Sequence, residues 1–260
     1  MTILTPTGGS QAVYRLNPVA KLITAAVISV ALVLSIDWVS ATVALALEAA
    51  LFPFAGLAPR RFFLRTLPAW IAAPLSALTI LLYGRPSGET HVQFLLVNIS
   101  DGSIELAIAT FLRVLAIGLP AIVLFATIDP TDLADGLAQV LRLPSRFVLG
   151  ALAGLRLVGL FLEDWRALEL ARRARGVADR GRLRRFIGQA FALLVLSIRR
   201  GSKLATAMEA RGFGSPRPRT WARPSRLRGA DALLIALGAL VAAASVIVAV
   251  ATGHWNFIVG

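Results

Sequence analysis

Five apolar stretches, residues 22–36, 38–57, 67–83, 104–128 and 230–252, constrain this chain more than any other feature. Crossing a bilayer as helix takes roughly 17–25 apolar residues, and four of the five reach that length. The first is shorter and runs into the second through Asp37, so the boundary between them is open. Pro53, Pro68, Pro74 and Pro120 fall in or near these stretches. Membrane helices accept such prolines where neighbouring groups re-satisfy the freed carbonyls. With 57% hydrophobic residues and a mean hydropathy of +0.75, the chain is too apolar for an ordinary soluble domain.

A net charge of +13 and a pI near 11.7 could by themselves suggest a nucleic-acid binder. The distribution argues against it, because 20 of the 27 lysines and arginines fall between Arg142 and Arg228 and most others flank apolar runs. Basic flanks on hydrophobic segments set membrane orientation. Arg15 and Lys21 precede the first run, and Arg60, Arg61 and Arg65 join the second to the third. The 84–103 loop holds one arginine, Arg85, against Glu89 and Asp101. An N-terminus inside therefore puts every basic cluster in the cytoplasm and the 253–260 tail outside. The arginines between 217 and 228 are expected to meet anionic lipid headgroups, each worth ~1 kcal/mol near the surface. No nucleic-acid partner is expected.

The basic insert between the fourth and fifth runs reads as three helices. Asp129 is a good N-cap with Pro130 at the first helical position, and Leu133, Leu137, Val140 and Leu141 follow at amphipathic spacing until Pro144. Ser145 is expected to cap a second helix of about 30 residues, or ~45 Å, reaching Ala174 or Arg175. That helix is apolar over 147–162 apart from Arg156 and strongly charged beyond. A third begins near 182–185 and runs to Arg211, with an apolar part, 186–196, too short to span.

Both long helices close on the same triplet, Ala174-Arg175-Gly176 and Ala210-Arg211-Gly212. Glycine just past a helix end accepts the left-handed conformation that stops the helix. The preceding arginine then projects from the tip, where it is also favoured by the helix dipole at ~0.3–1 kcal/mol. Arg172 and Arg173 read as ordinary surface charges, with Glu169 placed four residues before Arg173 for an i,i+4 pair.

On these residues the chain resembles the transmembrane (T) component of energy-coupling factor transporters, the vitamin- and cobalt-importing branch of the ABC superfamily. The resemblance covers nearly the whole length. It includes the entry segment Leu16-Asn17-Pro18-Val19-Ala20-Lys21-Leu22, the turn Thr127-Ile128-Asp129-Pro130, the following Leu141-Arg142-Leu143-Pro144, and above all the paired Ala-Arg-Gly. What it implies is a non-catalytic coupling subunit in the plasma membrane of a prokaryote. Its two Ala-Arg-Gly ends would dock two ATPase subunits, and its apolar surfaces would hold a substrate-capture S component. The physical case for arginine is its planar fork of donors, which binds a carboxylate bidentately and stays charged at any working pH.

Two other classes compete. Glu48 and Arg113 both fall inside apolar runs, where ionisable groups are functional suspects. Their similar depth, ~13–15 Å from the outer ends of their runs by helical rise, points to a structural ion pair. The alternative, a proton or substrate relay, would make the chain a secondary transporter. Glu48 has no accompanying carboxylates, and no inverted repeat is evident. An intramembrane enzyme would need a nucleophile with its base, or a metal cluster. The chain has no cysteine, and its two histidines, His91 and His254, fall outside the expected spans, so no metal or cofactor is expected. No nucleotide-binding Gly-x-x-x-x-Gly-Lys loop occurs either, so ATP hydrolysis is expected in partner chains.

The expected fold is thus an all-α integral membrane protein with about five transmembrane helices. It divides into an N-terminal four-helix membrane region (1–128), a cytoplasmic region of three coupling helices (129–228) and a C-terminal transmembrane helix (229–260). The substrate is not encoded here, because in this class the S component selects the vitamin or metal.

Overall fold

The computed structural model describes residues 12–56, 59–84, 87–94, 97–176, 181–215 and 220–255. Eight α-helices and one β-hairpin make up its regular structure, with two short 3-10 turns at Ala12–Arg15 and Phe52–Ala55. The described residues form two compact units, one within 5–133 and 226–260, the other within 134–225.

The first unit holds α1 (Pro18–Val33), α2 (Trp38–Leu51), α3 (Pro59–Tyr83), α4 (Asp101–Phe125) and α8 (Gly229–Ala251). Local chemistry sets the ends of the first two. Asn17 caps α1 by accepting the Val19 amide at 2.9 Å, with Pro18 at the first helical position. Asp37 caps α2 by accepting the Ser40 amide and hydroxyl. At 16 and 14 residues these helices rise only ~24 and ~21 Å, short of a ~30 Å hydrocarbon core. The apolar runs 22–36 and 38–57 are longer than the helices they form. Leu34 to Asp37 is given over to the turn and cap, and beyond Leu51 the chain tightens into the Phe52–Ala55 turn around Pro53.

Four helices are long and apolar enough to cross a membrane: 62–83 of α3, α4, α8 and α6 (Ser145–Ala174) of the second unit. The last of these differs from the expected set, since its first half is as apolar as a span.

Within the first unit α3 packs along α4, α1 along α8, and α2 against both α4 and α8. Small residues sit at the crossings. Ala44 and Ala116 join Ile28, Leu32 and Val241 in one core cluster, and Ala69 and Ala73 meet Leu115 and Leu119 in another. Without a hydrophobic drive between helices in lipid, close backbone approach supplies the dispersion contact. At the α1–α8 crossing, a Cβ on Gly238 would come within 2.5 Å of Thr24 Cγ2. Outward, Leu64, Leu67, Ile71, Leu75 and Leu78 line one exposed stripe of α3 at helical spacing.

Between α3 and α4, β1 (Thr90–Phe94) and β2 (Val97–Ser100) pair antiparallel, with Phe94 opposite Val97 and Thr90 opposite Ser100. Sequence reasoning treats this segment as loop. Ser100 then caps α4 by exchanging bonds with Ser103.

In the second unit, α5 (Pro130–Gln139, its first turn in the other unit) and α6 enclose a small cluster. Ala134, Ala138 and Val148 are buried there against Leu152 and Trp221. Asp129 caps α5 as expected, accepting the Thr131 amide at 2.7 Å. Ser145, expected to cap α6, is instead its first residue. Pro144 occupies the cap position with no side-chain bond, because the chain enters the helix directly from proline's fixed φ. α7 (Arg182–Ala210) follows and runs back along α6.

Candidate coupling site

The two Ala-Arg-Gly triplets form the same turn. α6 ends at Ala174, and Arg175 stands at the cap with φ −89° and ψ 5°. α7 ends at Ala210, and Arg211 stands there with φ −87° and ψ 9°. The glycine after each is left-handed, φ +67° at Gly176 and +77° at Gly212. The Gly212 amide donates to the Glu209 carbonyl at 2.9 Å, and the Phe213 amide to Met208 at 2.9 Å. Those two bonds are the Schellman closure. At the other tip the Gly176 amide makes the equivalent bond to Arg173 at 3.0 Å. Nothing lies within 4 Å of a Cβ built on Gly176, and only Ser215 Oγ, at 3.8 Å, near one on Gly212. Conformation, not space, therefore requires glycine at both.

All six residues of the triplets are exposed. Among the described residues, neither the Arg175 nor the Arg211 guanidinium has a hydrogen-bond or ion-pair partner. Several nearby charges are paired within the helix pair. Arg173 Nη2 binds Glu169 Oε1 at 2.7 Å, the expected i,i+4 pair. Arg200 Nη2 donates to Asp164 Oδ1 at 3.0 Å, joining α7 to α6. Arg172, which sequence reasoning leaves as a surface charge, reaches across to α7, donating to the Gly188 carbonyl at 2.9 Å and the Arg185 carbonyl at 3.4 Å. Arg172 is a structural tie, and its neighbour Arg173 is not.

These contacts run in opposite order along the two helices, 164 with 200 and 172 with 188, so α6 and α7 are antiparallel. The Arg175 tip thus lies where α7 begins, and the Arg211 tip lies toward the start of α6. There Arg211 borders an apolar groove of about 510 Å³ with Arg156, Leu157, Leu204, Met208 and Phe213. The apolar surface of this helix pair is largely uncovered. Only 6% of the apolar window of α6 is buried, against 39% for α4. On α7, Phe186, Ile187, Phe191, Leu194, Val195 and Ile198 are exposed.

The expected Glu48–Arg113 ion pair is not formed. Both carboxylate oxygens of Glu48 are buried without a hydrogen-bond partner, as are Nε and Nη2 of Arg113. The register explains it. Glu48 shares a cavity with Pro120, Val123 and Leu124 of α4, which lie seven or more residues past Arg113, ~10 Å or more along the helix. Depth counted from the ends of apolar runs misjudges which turn of α4 Glu48 faces.

Sequence reasoning also passed over a buried polar junction. Lys21, read from sequence as a topology flank and part of the entry segment, is 1% exposed on the inner face of α1. Asp231, 2% exposed, accepts the Asn17 amide at 2.6 Å and the Arg228 amide at 2.7 Å, pinning the entry to α1 against the first turn of α8. The signal was available, since Lys21, Ala25, Ile28 and Leu32 share one stripe at helical spacing. No group of three or more metal-ligating side chains occurs among the described residues. The His91 side chain lies outside them, and the ring of His254 stands edge-on to Trp38 at 5.7 Å.

Residues 9–221 match the model of the cobalt transport protein family, CbiQ. The chain belongs to that family. Similar curated proteins carry the name energy-coupling factor transporter transmembrane protein EcfT. That of Bacillus selenitireducens is 28% identical over 252 residues, covering 91% of this chain and 92% of its own. That of Lactococcus lactis is 28% identical over 247 residues, covering 87% and 90%. That of Listeria innocua is 29% identical over 248 residues, covering 89% and 92%. As a member of this family, the chain is the transmembrane component of an energy-coupling factor transporter and a multi-pass membrane protein.

Proposed function

We propose that this chain is the coupling subunit of an ATP-driven importer, docking two ATPase subunits through Ala174-Arg175-Gly176 and Ala210-Arg211-Gly212. The observation that carries this is the repetition of one exposed, backbone-closed tip at opposite ends of an antiparallel helix pair, each offering a guanidinium with no partner among the described residues. A free planar fork suits a carboxylate on another protein. The uncovered apolar faces of α6 and α7 hold the membrane S component, whose own site selects the vitamin or cobalt ion carried. The chain itself performs no catalysis. ATP is hydrolysed in the docked subunits, and their closure moves the α6–α7 pair and with it the S component.

The orientation follows from the basic clusters. The N-terminus and residues 129–228 face the cytoplasm of a prokaryotic cell, and Arg223, Arg226 and Arg228 meet anionic headgroups. Arg217 and Arg219, assigned the same role from sequence, lie outside the described residues.

Co-purification tests the docking. Truncating a desolvated, charge-paired arginine commonly costs about 2–5 kcal/mol, much of it from the stranded partner. Either single Arg→Ala change should weaken ATPase binding while leaving some complex. Arg175→Ala with Arg211→Ala should lose both ATPases yet keep the S component, and lysine should rescue poorly. Retention of both ATPases and full uptake by the double variant would refute the assignment.

A further inference from the structure

α1, α2, α4 and α8 surround an apolar cavity of about 280 Å³. Ile28, Leu51, Val123, Leu234 and Leu237 form much of its wall, and among the described residues Glu48 is the one ionisable side chain lining it. Glu48 is 3% exposed, and neither of its oxygens has a hydrogen-bond partner. Thr24, the other polar residue on the wall, already spends its hydroxyl on the Ala20 carbonyl at 2.9 Å. A carboxylate held in apolar surroundings without donors is strongly unfavourable, so such a group is protonated, paired or bonded. A lone water could bond the carboxylate oxygens but brings no charge to offset a buried carboxylate. With the group ionised, a molecule with hydrogen-bond donors and positive charge at one end and an apolar body behind it fits the site.

We propose that this cavity binds an amphiphile with a primary ammonium head and an alkyl chain, the ammonium on the Glu48 carboxylate and the chain along the leucine wall. An ammonium presents three donors, enough for both oxygens, and cancels the buried charge. An alcohol offers one donor and no charge. A quaternary ammonium offers charge and no donor. Two sources share the required chemistry, an amino-headed phospholipid of the surrounding bilayer and a free lipophilic amine.

Thermal unfolding of the full chain in detergent, followed by tryptophan fluorescence, tests the proposal with decylamine, decanol and decyltrimethylammonium at matched concentration. Decylamine at a hundredfold excess over its dissociation constant should raise the midpoint by roughly 5–10 °C, the other two clearly less. Glu48→Gln should abolish the preference for the amine. Leu237→Trp, which fills the cavity and leaves the carboxylate, should abolish stabilisation by all three, and it decides the matter if Glu48→Gln does not fold. Equal stabilisation by decanol, or a decylamine shift undiminished in either variant, would overturn the proposal. Native mass spectrometry after extraction from mixed phosphatidylethanolamine and phosphatidylcholine bilayers separates the sources. Preferential retention of phosphatidylethanolamine, lost in Glu48→Gln, identifies the phospholipid. Decylamine stabilisation without retained phosphatidylethanolamine identifies a free amine.

Discussion

Lys21 Nζ donates to the Thr127 carbonyl at 3.0 Å and to the Thr127 hydroxyl at 2.9 Å, fastening the first turn of α1 to the turn between α4 and α5. Two motif segments more than a hundred positions apart therefore serve one joint. Thr127 Oγ1 also donates to the Leu124 carbonyl at 2.7 Å, so the hydroxyl is oriented before the lysine arrives. Two residues further on, Asp129 starts α5.

Removing the ammonium should expose the value of this joint. Hydrogen bonds to charged groups contribute about 1.5–3 kcal/mol each. Lys21→Met should lower unfolding stability in detergent by at least about 2 kcal/mol, and Thr127→Val by about 1 kcal/mol, since the carbonyl contact survives. The double variant should fall short of the sum, because the two residues share a bond. Full additivity would show that they act independently.

Arg172 and Arg173 should part company. Arg173→Ala removes an exposed i,i+4 pair worth about 0.3–0.5 kcal/mol and should leave both stability and ATPase co-purification unchanged. Arg172→Ala removes the side-chain bonds to the Gly188 and Arg185 carbonyls and should loosen α7 on α6. Hydrogen exchange over 185–190 should rise in the Arg172 variant alone.

The tip glycines should tolerate asparagine better than alanine. Left-handed φ costs an ordinary L-residue roughly 1–2 kcal/mol, less for asparagine. Because the space around both glycines is open, the ranking glycine, asparagine, alanine should appear in ATPase retention at either tip. Equal performance by alanine and asparagine would mean that the left-handed turn is dispensable.

Orientation can be read by single cysteines in this cysteine-free chain. Cysteines at Ser10, Ser87 and Ser215 should differ in intact cells, with only the one at Ser87 reacting with an impermeant thiol reagent. Labelling at Ser215 would reverse the proposed topology.

Helix ends governed by local chemistry were legible in the sequence. Asp129-Pro130 and the two Ala-Arg-Gly stops fall where capping rules put them, because a cap depends on residues within one turn. What depended on helix register was not. Glu48 and Arg113 look level when counted along their own runs, yet Glu48 sits beside Pro120 and Val123 of α4, about two turns past Arg113. The short lengths of α1 and α2 were hidden for a related reason, since Leu34, Phe52 and Phe54 extend the apolar run without extending the helix. Lys21 was legible but discounted, because a lysine before an apolar run is read first as a topology marker and only then as part of a buried stripe.

The closures at Arg175 and Arg211 use main-chain atoms alone, and that frees the side chains mechanically. Neither guanidinium holds its own helix together, so each can let go of one acceptor and take another without the last turn fraying. Docked as proposed, such an end would work like a ball joint, passing push and pull along the rod while allowing the angle at the socket to change. A partner need only keep an acceptor within the sweep of one arginine, which leaves the rest of its docking surface free to drift.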